Sequence, residues 1–352
     1  MIRYRALALG VALMSVGGAT AAAAQTTPVL RVNAAEIQFN GRVQTQFNTS
    51  TVEDVPESEL ILRRVRLEVT VRANPFVSGK LSSDWAGDRV SVKDAYLKLE
   101  LDPALQFLMG KAYRPFSLIE QTSSTRILPI ERGLSIRGLD AEDEFEVVHD
   151  LGYSDRDIGV QLLGAPAGAP LGLGYAAGVF AGPLAGKTGN EATYQYVARA
   201  TVRPLPGLVV GGAWNNRAFA DSVAGGLDIE RGNAFEVDAE LGSYAPGLHL
   251  LGELALGDYD TFDDSDFLGA SGWLAYRTGA VNAALAGVEP LVRASYSSID
   301  GPHEDRGGTL LTPGVNFYFG GLNRIMFNYD IWMPTGNGGT QRSFKTQFQL
   351  AF

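Results

Sequence analysis

The pattern that most limits what this chain can become is alternation. From Gln25 onward no uninterrupted apolar stretch reaches the length of a membrane-spanning helix, yet apolar and polar residues repeatedly exchange places with period two. Ile37, Phe39, Val43 and Phe47 share one parity with Gly41 and Thr45, while Gln38, Asn40, Arg42, Gln44, Gln46 and Asn48 hold the other. Val65, Leu67, Val69 and Val71 alternate with Arg64, Arg66, Glu68, Thr70 and Arg72. Phe235, Val237, Ala239 and Leu241 alternate with Glu236, Asp238 and Glu240, and Ile325, Phe327, Tyr329 and Ile331 with Arg324, Asn328 and Asp330. One apolar and one strongly polar face at this period specify antiparallel strands. A soluble sandwich buries the apolar faces against a second sheet. A membrane barrel turns them to lipid and keeps the polar faces wet.

The connections separate the two. Tight turns at 73–75, 102–104, 204–207 and 245–247 interleave with longer polar segments at 49–58, 114–140, 218–232, 258–267, 300–308 and 334–342. Short turns at one rim and long loops at the other describe an all-β transmembrane antiparallel barrel of the outer-membrane kind. The spacing predicts sixteen strands, at 37–48, 59–72, 76–85, 90–101, 105–113, 156–164, 171–182, 193–203, 208–217, 233–243, 248–257, 268–278, 287–298, 309–319, 323–333 and 343–352. In the last of these, Phe344, Thr346, Phe348, Leu350 and the terminal Phe352 share a face against Lys345, Gln347 and Gln349. A chain that ends on an aromatic residue in register resembles the assembly signal of bacterial outer-membrane barrels. That implies the barrel assembly machinery and outer-membrane lipid as partners.

Export fits the other end. Arg3 and Arg5, the apolar run 6–16 and the small residues up to Ala24 read as a signal peptide cleaved after Ala24. Residues 25–36 then form a short periplasmic segment before the barrel domain, 37–352. The sequence has no cysteine, which excludes disulfides, thiolate metal sites and cysteine nucleophiles. Three histidines, His149, His249 and His303, make a multi-histidine metal centre improbable, and no cofactor or metal is expected. The formal charge of −10, concentrated after Gly138, argues against nucleic acid as a partner.

Sixteen strands enclose an aqueous channel rather than a side-chain-filled core. The expected function is passive diffusion of small hydrophilic solutes, with selectivity set by lumen charges and by any loop that narrows the pore. The longest irregular segment, 114–155, is the candidate constriction and carries Arg126, Arg132 and Arg137. Inward parity offers Arg42, Arg64, Arg66, Arg72, Lys80, Lys98, Arg199, Arg203 and Arg293 as an anion path, joined by Lys111 and Arg114 on a strand whose parity is ambiguous. Arginine forks and lysine charges suit phosphate oxygens. The same side chains could instead pair with inward Glu68, Asp84, Asp94 and Glu100. Glu236, Asp238, Glu240 and Glu253 add an acidic stripe to the later wall, which weakens an anion-selective reading.

Several fragments, in order, resemble the phosphate-selective porin O/P family. They include Leu62-Arg63-Arg64-Val65-Arg66-Leu67, Val92-Lys93-Asp94-Ala95-Tyr96-Leu97 and Gly110-Lys111-Ala112-Tyr113-Arg114-Pro115-Phe116-Ser117. Arg156-Asp157-Ile158-Gly159-Val160-Gln161-Leu162, Val202-Arg203-Pro204, Gly314-Val315-Asn316-Phe317-Tyr318 and Met326-Phe327-Asn328-Tyr329 continue it. The resemblance implies a sixteen-stranded homotrimeric porin with an inward-folded third loop, a basic lumen, and phosphate or polyphosphate as solute. Alternatives are a general porin with a mixed-charge lumen and, further off, a barrel enzyme. No serine-centred motif accompanies any histidine, so an enzyme is not expected. Asp258, Asp260, Asp263, Asp264 and Asp266 lack the spacing of a calcium loop and read as a solvated acidic rim.

Overall fold

The structure is a computed structural model, and it describes residues 29–32, 35–52, 58–87, 89–136, 139, 143–184, 193–223, 226–302, 305–336 and 338–352. The expected signal peptide, Arg137 and His303 lie outside the described residues. Among those residues no helix is long and apolar enough to cross a membrane. The strands are β1 (Val29–Val32), β2 (Ala35–Ser50), β3 (Ser58–Asn74), β4 (Val77–Asp84), β5 (Ser91–Asp102), β6 (Leu105–Tyr113), β7 (Arg156–Gly164), β8 (Gly174–Phe180) and β9 (Gln195–Leu205). They continue with β10 (Leu208–Val223), β11 (Gly226–Gly242), β12 (Gly247–Asp260), β13 (Ser265–Arg277), β14 (Gly287–Asp300), β15 (Asp305–Tyr318), β16 (Arg324–Pro334) and β17 (Gln341–Ala351). Two short helices, α1 (Leu118–Gln121) and α2 (Glu144–Asp150), lie between β6 and β7.

Each strand from β2 to β17 pairs antiparallel with the next, and β17 closes onto β2 through Gln347 opposite Gln46 and Phe348 opposite Thr45. The sixteen expected staves are all present. The short β1 pairs only with the start of β2, prolonging the β17 side of that strand below the C-terminus. There the Gly41 and Phe352 backbones exchange two hydrogen bonds, 2.9 and 3.1 Å, and the Phe352 ring occupies the space a Cβ on Gly41 would need. Closure of the sixteen staves leaves no open edge in the barrel wall among the described residues, which a lipid environment requires because nothing in the hydrocarbon can satisfy free N–H and C=O groups.

The pleat sorts the side chains as the alternation foretold. Leu60 is 73% exposed and Ile158 63%, with Phe39, Phe107, Met109, Val237, Leu254, Phe348 and Leu350 also facing outward. Gln44, Gln46, Asn316, Asn328, Gln347 and Lys345 are buried inside. A soluble protein has the reverse arrangement.

One expectation is corrected. The segments 218–232, 258–267 and 300–308 are not long loops. Val223 pairs with Gly226, Asp260 with Ser265 and Asp300 with Asp305, so the strands continue almost to their tips. The apolar alternation stops there because both faces of a hairpin projecting beyond lipid meet water, while its backbone ladder continues undisturbed. Of the register shifts in the sheet, two change which side chains face inward on β3 and β5. One lies opposite Gln44/Thr45 and turns both Arg63 and Arg64 of β3 inward; the other, opposite Ser82/Ser83, does the same for Lys93 and Asp94 of β5.

Candidate functional site

The segment between β6 and β7 occupies the interior of the barrel. Phe116, Ile119, Ile127, Leu128 and Ile130 are fully buried, and they pack with inward residues of later strands. Ile119, Ile127, Leu128 and Phe145 join Leu251, Trp273 and Leu291; Leu134 and Ile136 join Leu310 and Trp332. Phe116, Val147, Val148 and Tyr153 join Phe219, Phe267 and Ile299. Polar side chains of the wall then take up the backbone groups that a non-helical, non-sheet segment leaves free. Arg324 donates to the Ile127 carbonyl at 2.8 Å, Asn316 to Leu128 at 3.0 Å and Gln349 to Thr125 at 3.0 Å, while Asn328 Oδ1 accepts from the Ile130 N–H at 2.6 Å.

Arg293 is the strongest of these anchors. Its guanidinium, 1% exposed, donates to the carbonyls of Glu131, Arg132 and Gly133 at 3.0, 2.6 and 3.1 Å, and to Thr312 and Asp330. Asp330 is shared with Lys345 at 2.6 Å. Arg293 is therefore a positioning residue with no open face toward an anion path. Glu131 anchors the opposite side: it takes Arg63 at 2.7 Å, Arg64 at 2.8 Å and Gln46 at 2.7 Å. Those guanidinium charges hold its carboxyl far below the ordinary carboxylate range despite complete burial.

The same segment covers the acidic wall. Glu253 accepts the Ile119 N–H at 2.9 Å, and Glu236 and Asp238 hold Arg199 at 2.8 and 2.5 Å. Glu240 meets His249 at 2.8 Å. The stripe that argued against anions is thus capped by α1 or internally paired. What stays open is the wall of β2 to β7, where two cavities of about 320 Å³ each meet at Arg66 and Arg156.

The first cavity, on the long-loop side, is lined by Arg63, Arg64, Arg66, Lys93, Arg132 and Arg156, with Asp84, Glu120, Glu131, Glu146 and Asp155. The second, toward the short turns, carries four cations, Arg42, Arg66, Lys80 and Arg156, against two carboxylates, Glu68 and Asp94. The cations are paired: Arg42 with Glu68, Arg66 with Asp84 at 2.9 Å, Lys80 with Glu68 at 2.8 Å and Arg156 with Asp94 at 2.8 Å. Pairing does not exhaust a guanidinium, which has five donors. The Nε–H groups of Arg42 and Arg66 are buried without a hydrogen-bond partner.

The remaining candidates divide cleanly. Arg72 and Lys98 flank Glu100 at 3.5 and 3.9 Å near the short-turn rim, extending the basic series. Arg114 sits at the base of the inward segment, bonded to Ser154, Gln195 and Asp157, and lines neither cavity. Arg203 is exposed and donates to the Gly172 carbonyl at 3.2 Å, and Arg126 lies 5.6 Å from the Tyr244 ring, so neither joins the cluster. Lys111 pairs across the sheet with Ala95 and Ile158 on the outward face of Met109, away from the lumen. Arg132 lines the first cavity while its donors hold the Ile119 and Thr122 carbonyls at 3.0 and 2.5 Å. Alternation missed Arg63 and Lys93, which the bulges deliver, and Arg156, whose guanidinium lies 3.6 Å from the Tyr113 ring centroid at a strand start.

Burial, aided by neighbouring Asp143 and Asp150, pushes the Glu146 carboxyl in α2 up to about 8. It is uncharged at neutral pH and adds a negative charge to the first cavity as pH rises through that value. Anion preference in bilayers should therefore fall between pH 7 and 9, and Glu146→Gln should flatten that decline; an identical decline in the variant would assign it to another group.

Residues 37–221 match the family model described as phosphate-selective porin O and P. No curated protein sequence matches the chain. Among solved structures, the anion-selective porin from Comamonas acidovorans superposes with a TM-score of 0.62 at 12% identity, covering 90% of this chain and 100% of that one. In-vitro folded OmpT, an outer membrane protein of Vibrio cholerae, gives 0.62 at 14% over 92% and 99%, and Salmonella typhi OmpF in complex with daunomycin gives 0.61 at 12% over 92% and 100%. At these identities the superpositions establish the fold alone, a porin-type β-barrel. The family match spans more than half of the chain, and with it the chain belongs to the phosphate-selective porin O and P family.

Proposed function

We propose that this porin passes small anions, phosphate among them, along the wall formed by β2 to β7. The observation that carries the reading is the sorting done by the inward segment. Its apolar side chains pack against later strands, and it covers Glu236 and Glu253. It meets β2 and β3 instead through polar groups, Glu131 on Arg63 and Arg64 and Ser123 and Ser124 on Arg42. The basic series from Lys93 and Arg63 through Arg66 and Arg156 to Lys80 still lines two cavities, with Arg72 beyond them. A solute moving down this wall exchanges one guanidinium for the next, each held in place by a carboxylate that keeps it from binding too tightly. Segment 114–155 is on this reading the constriction, and the molecule acts as a channel without catalysis.

The test is the reversal potential in a salt gradient across a planar bilayer. Anion preference is expected. Cation preference would overturn the anion reading and favour a general porin with a mixed-charge lumen, a reading the extensive pairing of the cations supports. Absence of conductance would overturn both. The reading extends to export by a cleaved signal peptide, to assembly through the Phe352 strand and to a homotrimer. One solved relative, Vibrio cholerae OmpT, is described in a trimer form.

A further inference from the structure

Three side chains in the first cavity have a use that ion transfer along the wall does not require. Glu120 at the end of α1, His149 in α2 and Asp155 just before β7 bring one ligand atom each to within 4.8 Å of one another. His149 Nδ1 lies 3.5 Å from Glu120 Oε2. Glu120 is only 3% exposed, yet its Oε2 has no hydrogen-bond partner, and neither does His149 Nδ1. A buried carboxylate oxygen left in that state is costly, more so than a neutral group. His149 pairs with it only in its protonated form, and the nearby arginines are already engaged. Arg156 is engaged by Asp94, Arg114 by Ser154, Gln195 and Asp157, and Arg132 by two carbonyls. Asp155 has Arg156 no nearer than 3.9 Å.

We propose that Glu120, His149 and Asp155 form a binding site for a divalent transition-metal ion of the zinc class. One imidazole nitrogen and two carboxylate oxygens suit such an ion. Calcium and magnesium ask for more oxygen ligands and seldom take imidazole. Three protein ligands leave a coordination position free, and all three residues line the cavity of the anion path. A small anion such as phosphate can fill that position. This consequence, unlike the metal site itself, rests on the proposed anion function.

The site is tested with untagged, metal-stripped, full-length protein folded in detergent, using Co²⁺ as a spectroscopic probe and Zn²⁺ as competitor. Visible ligand-field bands should saturate at one ion per chain, yield to Zn²⁺ and ignore excess Ca²⁺. Loss of an outer-shell partner alone costs a metal site about 10- to 100-fold, so His149→Ala and Glu120→Gln should each weaken binding by at least about tenfold. His149 is only half-buried and the glutamine is isosteric, so both variants retain the fold, checked by heat-modifiable migration. No bands, or bands unchanged in both folded variants, would overturn the site. Zn²⁺ should also lengthen phosphate block of chloride current. Binding without any change in that block would keep the metal site and overturn the anion path through this cavity.

Discussion

Replacing Arg66 and Arg156 together by glutamine should weaken phosphate block of chloride current by at least about tenfold. These are the two cations that line both cavities, so every anion on the proposed path meets them. Hydrogen bonds to charged groups contribute roughly 1.5–3 kcal/mol each, and about 1.4 kcal/mol is a factor of ten. Arg66 has an unpartnered Nε–H in addition to the nitrogen that holds Asp84. In the variant Asp84 Oδ1 keeps the Val65 and Ala86 backbone donors, and Oδ2, which Arg66 held, belongs to a side chain that lines the first cavity. The control is Lys111→Gln with Arg203→Gln, which removes the same charge from an outward face and from the exposed end of β9. Equal loss of phosphate block in both double variants would mean that net charge, and not this wall, selects the solute.

Arg293→Ala should have a distinct signature: phosphate block is lost together with a severalfold rise in conductance. The substitution leaves the carbonyls of Glu131, Arg132 and Gly133 without their donor, and breaking a buried charge pair costs about 3–5 kcal/mol. The barrel ladder does not depend on this side chain, so heat-modifiable migration should persist. Arg293→Lys should not restore the parent conductance, because a single ammonium cannot address three carbonyls, Thr312 and Asp330 with the geometry of a guanidinium. Unchanged conductance in Arg293→Ala would show that the inward segment is held by its apolar contacts alone.

The two variants mark what the sequence makes legible. Alternation is a local property, and it located all sixteen staves and the pairing carboxylates Glu68, Asp84, Asp94 and Glu100. It could not tell Arg66 from Arg293, since both have inward parity; only the position of the inward segment distinguishes an open guanidinium from a consumed one. A signal for that position existed in adjacent apolar residues such as Leu250-Leu251, Trp273-Leu274, Leu310-Leu311 and Ile331-Trp332. A wetted lumen has no need of the inward member of each pair. Arg63 and Lys93 escaped because a bulge shifts parity by one residue and leaves no mark in composition. The cluster of Glu120, His149 and Asp155 escaped because its members are brought together by the folding of a segment without periodicity.

The unequal staves give the molecule a sidedness of approach. At about 3.3 Å per residue, the seven residues of β8 and nine of β7 are far shorter than the sixteen and seventeen of β10 and β11. Among the described residues the hairpins of β10 to β13 therefore reach further than β7 and β8, and they bear Asp228, Glu230, Asp258, Asp260, Asp263, Asp264 and Asp266. On the proposed anion function, these acidic hairpin tips repel an incoming anion and favour its approach on the side where Arg156 begins β7. The protein's acidity, which first weighed against an anion channel, then serves to aim its traffic.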